Sequence, residues 1–500
     1  MKRNLICFVL VCLWITAGLH AQEPVDLEMI AKFKAEGMEN SQVLDTFNIL
    51  TNIIGPRLPA TPAYKQAATY VRDRLQSWQI ENVHFESFDF RRGWTLEKLT
   101  IEMIEPRYFP LIGYPEAWTP STAGEIVAEP LFVAGKTAEQ VEQIKGKIKG
   151  GIILDRPIQT NLLRTDRIQP TDPPTQAAQT ATAQRGQRRG TRGGQNPPGP
   201  RPMNSRELAA LLQNEKAGVI LRTSQYVHGT VGVLGRDRGD DAIPTIILAA
   251  EHYNMMARII EHGFKVKIRA NVQVQYHTDD PYCYNIIGEI PGVDPVLKDE
   301  IVMLGAHLDS WHSSNGATDN ADAVAGSMEA MRILQAVGVK PRRTIRLGIW
   351  DGEEQGLLGS NNYARTHLAG DANQTARDNF SVYLNTDPGG GPIYGFYMEN
   401  NEPAQKIFDA WLEPFLDMNA RKNLIQGIGS TDHVSFIRAG VPAFNAIQSY
   451  IDYDVRTRHT NMDMFEHVNE NDLQQTAVLL AAFAYHAAMR NDKIPRNENH

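Results

Sequence analysis

Apolar residues first recur at helical spacing over 61–78, where Ala67, Tyr70, Val71, Leu75 and Trp78 share one face behind Thr61 and Pro62, a capping hydroxyl followed by a proline suited to the first helical turn. The period then drops to two. Val83 and Phe85, then Phe88 and Phe90, alternate with polar residues as in a half-buried strand. Between 110 and 275 the pattern breaks into short apolar runs at 151–154, 219–221 and 246–248, with a helix over 207–215, and this stretch reads as an inserted β-rich unit. From 276 onward, strand-like runs at 301–304, 344–350, 381–386 and 441–447 are separated by helical stripes: Val324, Met328, Met331 and Leu334; Ile407, Trp411 and Phe415; Leu473, Ala477, Leu480, Ala484 and Ala487. Such alternation predicts an α/β fold on a largely parallel sheet, with chemistry in the loops beyond the strands' carboxyl ends. The methionine-bearing stripe is core.

Composition divides the 500 residues further. Lys2 and Arg3 precede an apolar run at 5–15 and small residues near Ala21, the pattern of a secretory signal over 1–21. The expected organisation is therefore a signal at 1–21, the first part of the main domain at 22–109, the insertion at 110–275, the main domain at 276–492 and a flexible tail at 493–500. Within the insertion, 169–205 consists almost wholly of Gln, Pro, Thr, Ala, Gly and Arg, too few large apolar groups to offset ordering entropy, so a disordered loop is expected. Its arginines read as a solvated surface. The net charge of -8, with both signs interspersed, gives no electrostatic reason to expect a nucleic-acid partner. No later run is apolar enough to span a bilayer, so an exported protein, periplasmic or extracellular, without stable membrane insertion is expected. Cys7 and Cys12 lie in the signal, which leaves Cys283 as a lone, inert thiol with no internal disulfide. No coiled coil or interface stripe indicates an oligomeric state.

The polar clusters fall where the sheet should end. His307 follows its strand in GAHLDS, with Asp309 near enough to accept the second ring N–H and fix the tautomer. Asp319 in GATDNADAVAG precedes a helix, where it reads either as a cap or as a carboxylate whose two oxygens bridge metals. Glu353 and Glu354 in DGEEQG leave a turn in different directions, Asp387 follows the next strand, and His459 sits in the polar motif RHTNMD. Each residue alone has an ordinary explanation. Together, two histidines and three carboxylates at strand exits match the ligands of a catalytic zinc pair, with Glu353 left over for proton transfer. His312, His367, His467 and His486 read as surface or packing residues, His433 as a support beside Asp432, and Tyr450 and Tyr453 stay open between oxyanion stabilisation, pocket lining and packing.

At GAHLDS, GATDNADAVAG, WDGEEQGLLGS, LNTD, GSTDHVSF, AGVPAF and RHTNMD, and again at GPRLPATPAYKQAATYV, the chain resembles the M28 zinc peptidases. The resemblance implies a three-layer zinc-peptidase fold with a central mixed sheet and a small protease-associated domain as the insertion. It implies two zinc ions, one on His307 and Asp387, the other on Glu354 and His459, with Asp319 bridging and Glu353 as general base. The expected reaction is hydrolysis at the free N-terminus of peptides or dipeptides. Two rivals share the fold: a glutaminyl-peptide cyclotransferase with one zinc, and a receptor-like ectodomain without catalysis. Many members have Tyr-His-Thr where this chain has Arg458, His459 and Thr460.

Overall fold

The computed structural model describes residues 23–172 and 201–497; the expected signal at 1–21 lies outside them. The main sheet has seven strands: β1 (Glu81–Asp89), β2 (Tyr282–Ile290), β3 (Ile301–His307), β4 (Thr344–Trp350), β5 (Phe380–Asn385), β6 (Gly390–Tyr397) and β7 (Ala443–Ser449). Their order is β1-β2-β4-β3-β5-β7-β6. The four central strands run parallel, whereas β1, β2 and β6 pair antiparallel at the flanks. The sheet is thus mixed, and its parallel character is confined to the centre.

Helices cover both faces, giving three layers. Along β3, Val302, Leu304 and Ala306 join a core with helices α1 (Leu27–Glu39), α2 (Pro62–Ser77), α3 (Asp322–Ala336) and α4 (Glu470–Met489). Met303 faces the other way, into a cluster with Trp350 of β4 and with Tyr363 and Phe436 from the helices Leu358–His367 and His433–Arg438. The period of two therefore feeds both layers, as a central strand must. Helix α2 begins as its sequence predicts, with the Thr61 hydroxyl accepting from the Tyr64 amide and Pro62 in the first turn.

Between β1 and β2 the chain builds two further sheets. One has five strands, in the order Gly113–Pro115, Thr245–Leu248, Val219–Thr223, Ile152–Leu154 and Leu131–Phe132. The other has four, dominated by Gly93–Glu105 and Lys267–His277, which pair antiparallel. Sequence periodicity missed these two long strands because a register shift between Gln273 and Val274 breaks the alternation. The expected break at 109/110 falls after the first of them, inside this sheet.

Two expectations of disorder meet ordered residues. In the 169–205 loop, 173–200 lie outside the described residues, but Gln169 donates to the Gln448 carbonyl at 3.1 Å and accepts from the Tyr450 amide at 2.9 Å. At the far end Asn204 caps the helix Ser205–Asn214. The tail is also packed as far as residue 497: Ile494 is buried, its amide donates to Ser381, and Lys493 pairs with Glu300. A polar sequence read without its partners conceals such docking.

Candidate metal centre

The carboxyl ends of β3, β4, β5 and β7 open on one edge, and six of the expected site residues meet there. His307 is the last residue of β3 and is wholly buried. Its Nδ1 lies 3.0 Å from the backbone carbonyl of Asp309, closer than the 3.5 Å to the carboxylate expected to hold it. The Asp309 carboxylate serves the next loop instead, accepting from the amides of Glu353 at 3.1 Å and Glu354 at 3.2 Å. One residue thus orients the imidazole through its carbonyl and shapes the acidic turn through its side chain.

Opposite His307, Asp319 presents its two oxygens to two histidines: Oδ1 is 3.3 Å from His307 Nε2 and Oδ2 is 3.2 Å from His459 Nε2. Asp319 is no helix cap, since α3 starts only at Asp322. Burial pushes its carboxyl up, but the close approach of both histidine rings outweighs this and holds it well below the usual carboxylate range. The adjacent glutamates separate as expected. Glu354 reaches His459, with Oε2 2.9 Å from Nε2, while Glu353 groups with His307 and Asp387. In each trio, His307–Glu353–Asp387 and Asp319–Glu354–His459, the potential ligand atoms lie within 4.8 Å of one another.

The donors suit zinc in kind and in how little else they bond. His307 Nε2 and Glu354 Oε1 are buried and make no hydrogen bond, although carboxylates surround them. Burial, then repulsion from Asp387 and Glu354 against the pull of His307, drives Glu353 well above the normal carboxyl range; burial likewise raises Glu354 and Asp387. Unpaired nitrogen and oxygen donors around a shared carboxylate form a cation site, because a cation would remove both the orphaned lone pairs and the repulsion.

Sequence reasoning missed three buried charged groups around the site. Asp463, the last residue of the RHTNMD motif, is buried and accepts from the Thr318 amide at 2.7 Å, the Thr318 hydroxyl at 2.8 Å and the Asp319 amide at 3.2 Å. It ties the His459 loop to the Asp319 turn, and burial together with Asp319 pushes its carboxyl up to about 7. Asp432 is buried near Glu353 with no hydrogen bond to either carboxylate oxygen, and burial raises it to about 7. His433 turns away to Glu399, at 3.2 Å, and to the Ile428 carbonyl.

Arg57, in the GPRLPAT segment, is the third. Wholly buried, it donates to the carbonyls of Leu308, Leu50, Gly55, Asn315 and Gly316 at 2.7–3.1 Å. These bonds fasten the loop between His307 and Asp319. Gly316 completes the turn at φ 56°, where an added Cβ would lie 2.3 Å from Ser310 Cβ. Burial lowers the guanidinium to about 10, which leaves it charged at neutral pH. Arg57→Ala strands several buried carbonyls, each costing about 1–3 kcal/mol, so unfolding free energy should fall by at least about 3 kcal/mol. Urea denaturation of the variant beside the parent protein measures this, and a loss within about 0.5 kcal/mol would refute the fastening role.

The remaining expectations settle individually. His312 is half-buried against Trp94, bonded to the Pro115 carbonyl at 2.8 Å, and burial lowers it to about 4. His486 accepts from the Asp26 amide, and His367 pairs with Glu86. Cys283 is buried and unpaired, its thiol raised far above the usual range by burial and by Asp351. Tyr450 and Tyr453 are both buried; the Tyr450 hydroxyl meets that of Tyr397 at 3.1 Å, whereas the Tyr453 hydroxyl has no hydrogen-bond partner.

Residues 285–484 match the model of peptidase family M28. Carboxypeptidase Q of Homo sapiens is 24% identical over 463 residues, covering 92% of this chain and 88% of the relative, and aminopeptidase YwaD of Bacillus subtilis is 28% identical over 305 residues, covering 57% and 58%. Among solved structures, an M28 peptidase precursor from Shewanella amazonensis superposes with a TM-score of 0.69 at 22% identity, covering 94% of this chain and 98% of that one. A zinc aminopeptidase from Bacillus subtilis gives 0.57 at 20% identity, covering 90% and 96%. The three-layer mixed sheet and the paired donor trios thus accompany a match to peptidase family M28 over residues 285–484, the part of the chain that carries the site, and a likeness to these relatives beyond it.

Proposed function

We propose that this chain is an exported exopeptidase that holds two zinc ions per chain and hydrolyses the bond after a free N-terminal residue in dipeptides and short peptides. The observation that carries the reading is the split carboxylate of Asp319, one oxygen toward each histidine, between two otherwise separate donor trios. His307 and Asp387 would hold one ion, Glu354 and His459 the other, and Asp319 both. A single-zinc cyclotransferase would leave one trio without purpose, and a receptor would have no need of either.

Zinc at these residues would polarise the scissile carbonyl and acidify the attacking water. Glu353 then accepts a proton from that water as its oxygen bonds to the carbonyl carbon, and returns the proton to the departing amine as the C–N bond breaks. The Tyr453 hydroxyl, buried and without a hydrogen-bond partner, would donate to the developing oxyanion, with the Tyr450 ring 6.3 Å from its own between centroids. We assign the unit at 93–277 as a protease-associated domain that roofs the site. Its residues brace the His459 loop: Arg167 pairs with Asp454, and Asp166 accepts from the amides of Asp452 and Val455.

In a dipeptide the bond after the N-terminal residue is also the bond before the C-terminal one, so relatives bearing aminopeptidase and carboxypeptidase names are compatible with one reaction. A panel of free and N-acetylated dipeptides tests the reading. Free dipeptides should be cleaved and acetylated ones spared, with activity lost to a chelator and restored by zinc. Equal cleavage of both sets would overturn the exopeptidase assignment.

A further inference from the structure

Beside His459 a cavity of about 790 Å³ opens between the metal-site loop and the roofing unit. Arg156, Arg222, Arg236 and Arg238 line it from the roof, and Arg458 from the loop. Two acids answer these five guanidinium groups. Glu116 pairs with Arg222 at 2.9 Å and Arg238 at 3.2 Å; Asp155 pairs with Arg222 at 3.0 Å and Arg156 at 3.7 Å. Among the described residues, neither Arg236 nor Arg458 has an ion pair or side-chain hydrogen bond. Arg236 is exposed and solvated, but Arg458 is half-buried. A partly desolvated guanidinium without a partner is unfavourable unless something arrives to fill its donor fork.

The position of Arg458 is fixed. The loop around it is stitched to the roof by the Val233 amide to the His459 carbonyl at 2.9 Å, the Asn461 amide to the Val231 carbonyl at 3.1 Å, and the Val231 amide to Asn461 Oδ1 at 2.7 Å. Arg458 also precedes His459 in the chain, so its backbone lies only about 3.8 Å, one Cα step, from that of a proposed zinc ligand.

We propose that this cavity receives a carboxylate carried by the leaving residue of the substrate, with Arg458 as its inner anchor. The proposal rests on the exopeptidase reading above and narrows it to short peptides whose departing residue bears a negative charge. A planar guanidinium binds carboxylate through two parallel N–H···O bonds, which a neutral amide cannot match. The unpaired positive charge of the cavity favours anionic substrates before contact is made. In a dipeptide the α-carboxylate stands one residue beyond the scissile bond, on the scale of the step from His459 to Arg458.

The test compares Ala-Ala, Ala-Ala amide and Ala-Asp amide in the zinc-loaded parent enzyme, Arg458→Gln and Arg458→Lys, with calorimetric binding of glutarate as a readout independent of turnover. The parent should prefer Ala-Ala over its amide by about 10- to 100-fold in kcat/KM, the range of a charge-assisted hydrogen bond. Arg458→Gln should abolish that preference chiefly through KM and weaken glutarate binding about tenfold or more, while Arg458→Lys keeps part of both. Rescue of the amide by aspartate means that a side-chain carboxylate is also accepted; no rescue restricts the receptor to the α-carboxylate. An unchanged preference and unchanged glutarate affinity in Arg458→Gln would overturn the proposal. If the zinc-loaded parent cleaves none of the peptides, the peptidase reading fails, and glutarate binding still decides whether Arg458 is an anion receptor.

Discussion

Glu353→Gln should lower kcat on a free dipeptide by at least about a hundredfold while leaving zinc content and thermal midpoint close to those of the parent. Glutamine keeps the size of the side chain and much of its hydrogen bonding but cannot accept and return the proton. Glu353 is buried at the head of the DGEE turn, its amide held by Asp309, so the substitution has little room to displace its neighbours. Steady-state kinetics with zinc measured on the same preparation separates the outcomes. Activity within a few-fold of the parent would remove Glu353 from proton transfer, whereas loss of zinc would make it a ligand, a role its grouping with His307 and Asp387 makes a sharp alternative.

A larger effect is expected at Asp319. Asp319→Ala removes the one carboxylate facing both histidines, so both ions should bind more weakly and turnover should fall by at least about a thousandfold, the combined loss of carbonyl polarisation and water activation. His459→Ala should, by contrast, empty one position only. If Asp319→Ala loses no more zinc than His459→Ala, Asp319 serves a single ion and the bridge is wrong.

The site was more legible than its surroundings because ligand chemistry is written in short segments. GAHLDS, GATDNADAVAG and DGEEQG each place a donor at the end of a strand or before a helix, and parallel strands bring such ends to one edge whatever the crossovers between them. The supports were less visible because their partners are remote in sequence. Nothing local marks Arg57 as a fastener, since its partners include the carbonyls of Leu308 and Gly316 some 250 residues away. Asp463 stood inside a motif already noticed, but its role depends on the Thr318 turn. The Asp309 side chain, expected on His307, is drawn to the two free amides of the following acidic turn.

The fold divides in the same way. The central strands are buried on both faces and announce themselves as apolar runs, whereas edge strand β6 and the long bulged pair Gly93–Glu105 and Lys267–His277 carry mixed or broken patterns. Low complexity and polarity concealed the order of Gln169 and Ile494, which both gain from distant partners.

The central claim, two ions shared through one carboxylate, is tested most directly by titrating zinc into chelator-treated parent protein while following zinc bound per chain and dipeptide hydrolysis together. Binding should saturate at two zinc ions per chain, with full activity reached only as the second site fills. Saturation at one ion with full activity, or hydrolysis by the metal-free protein, would contradict the account.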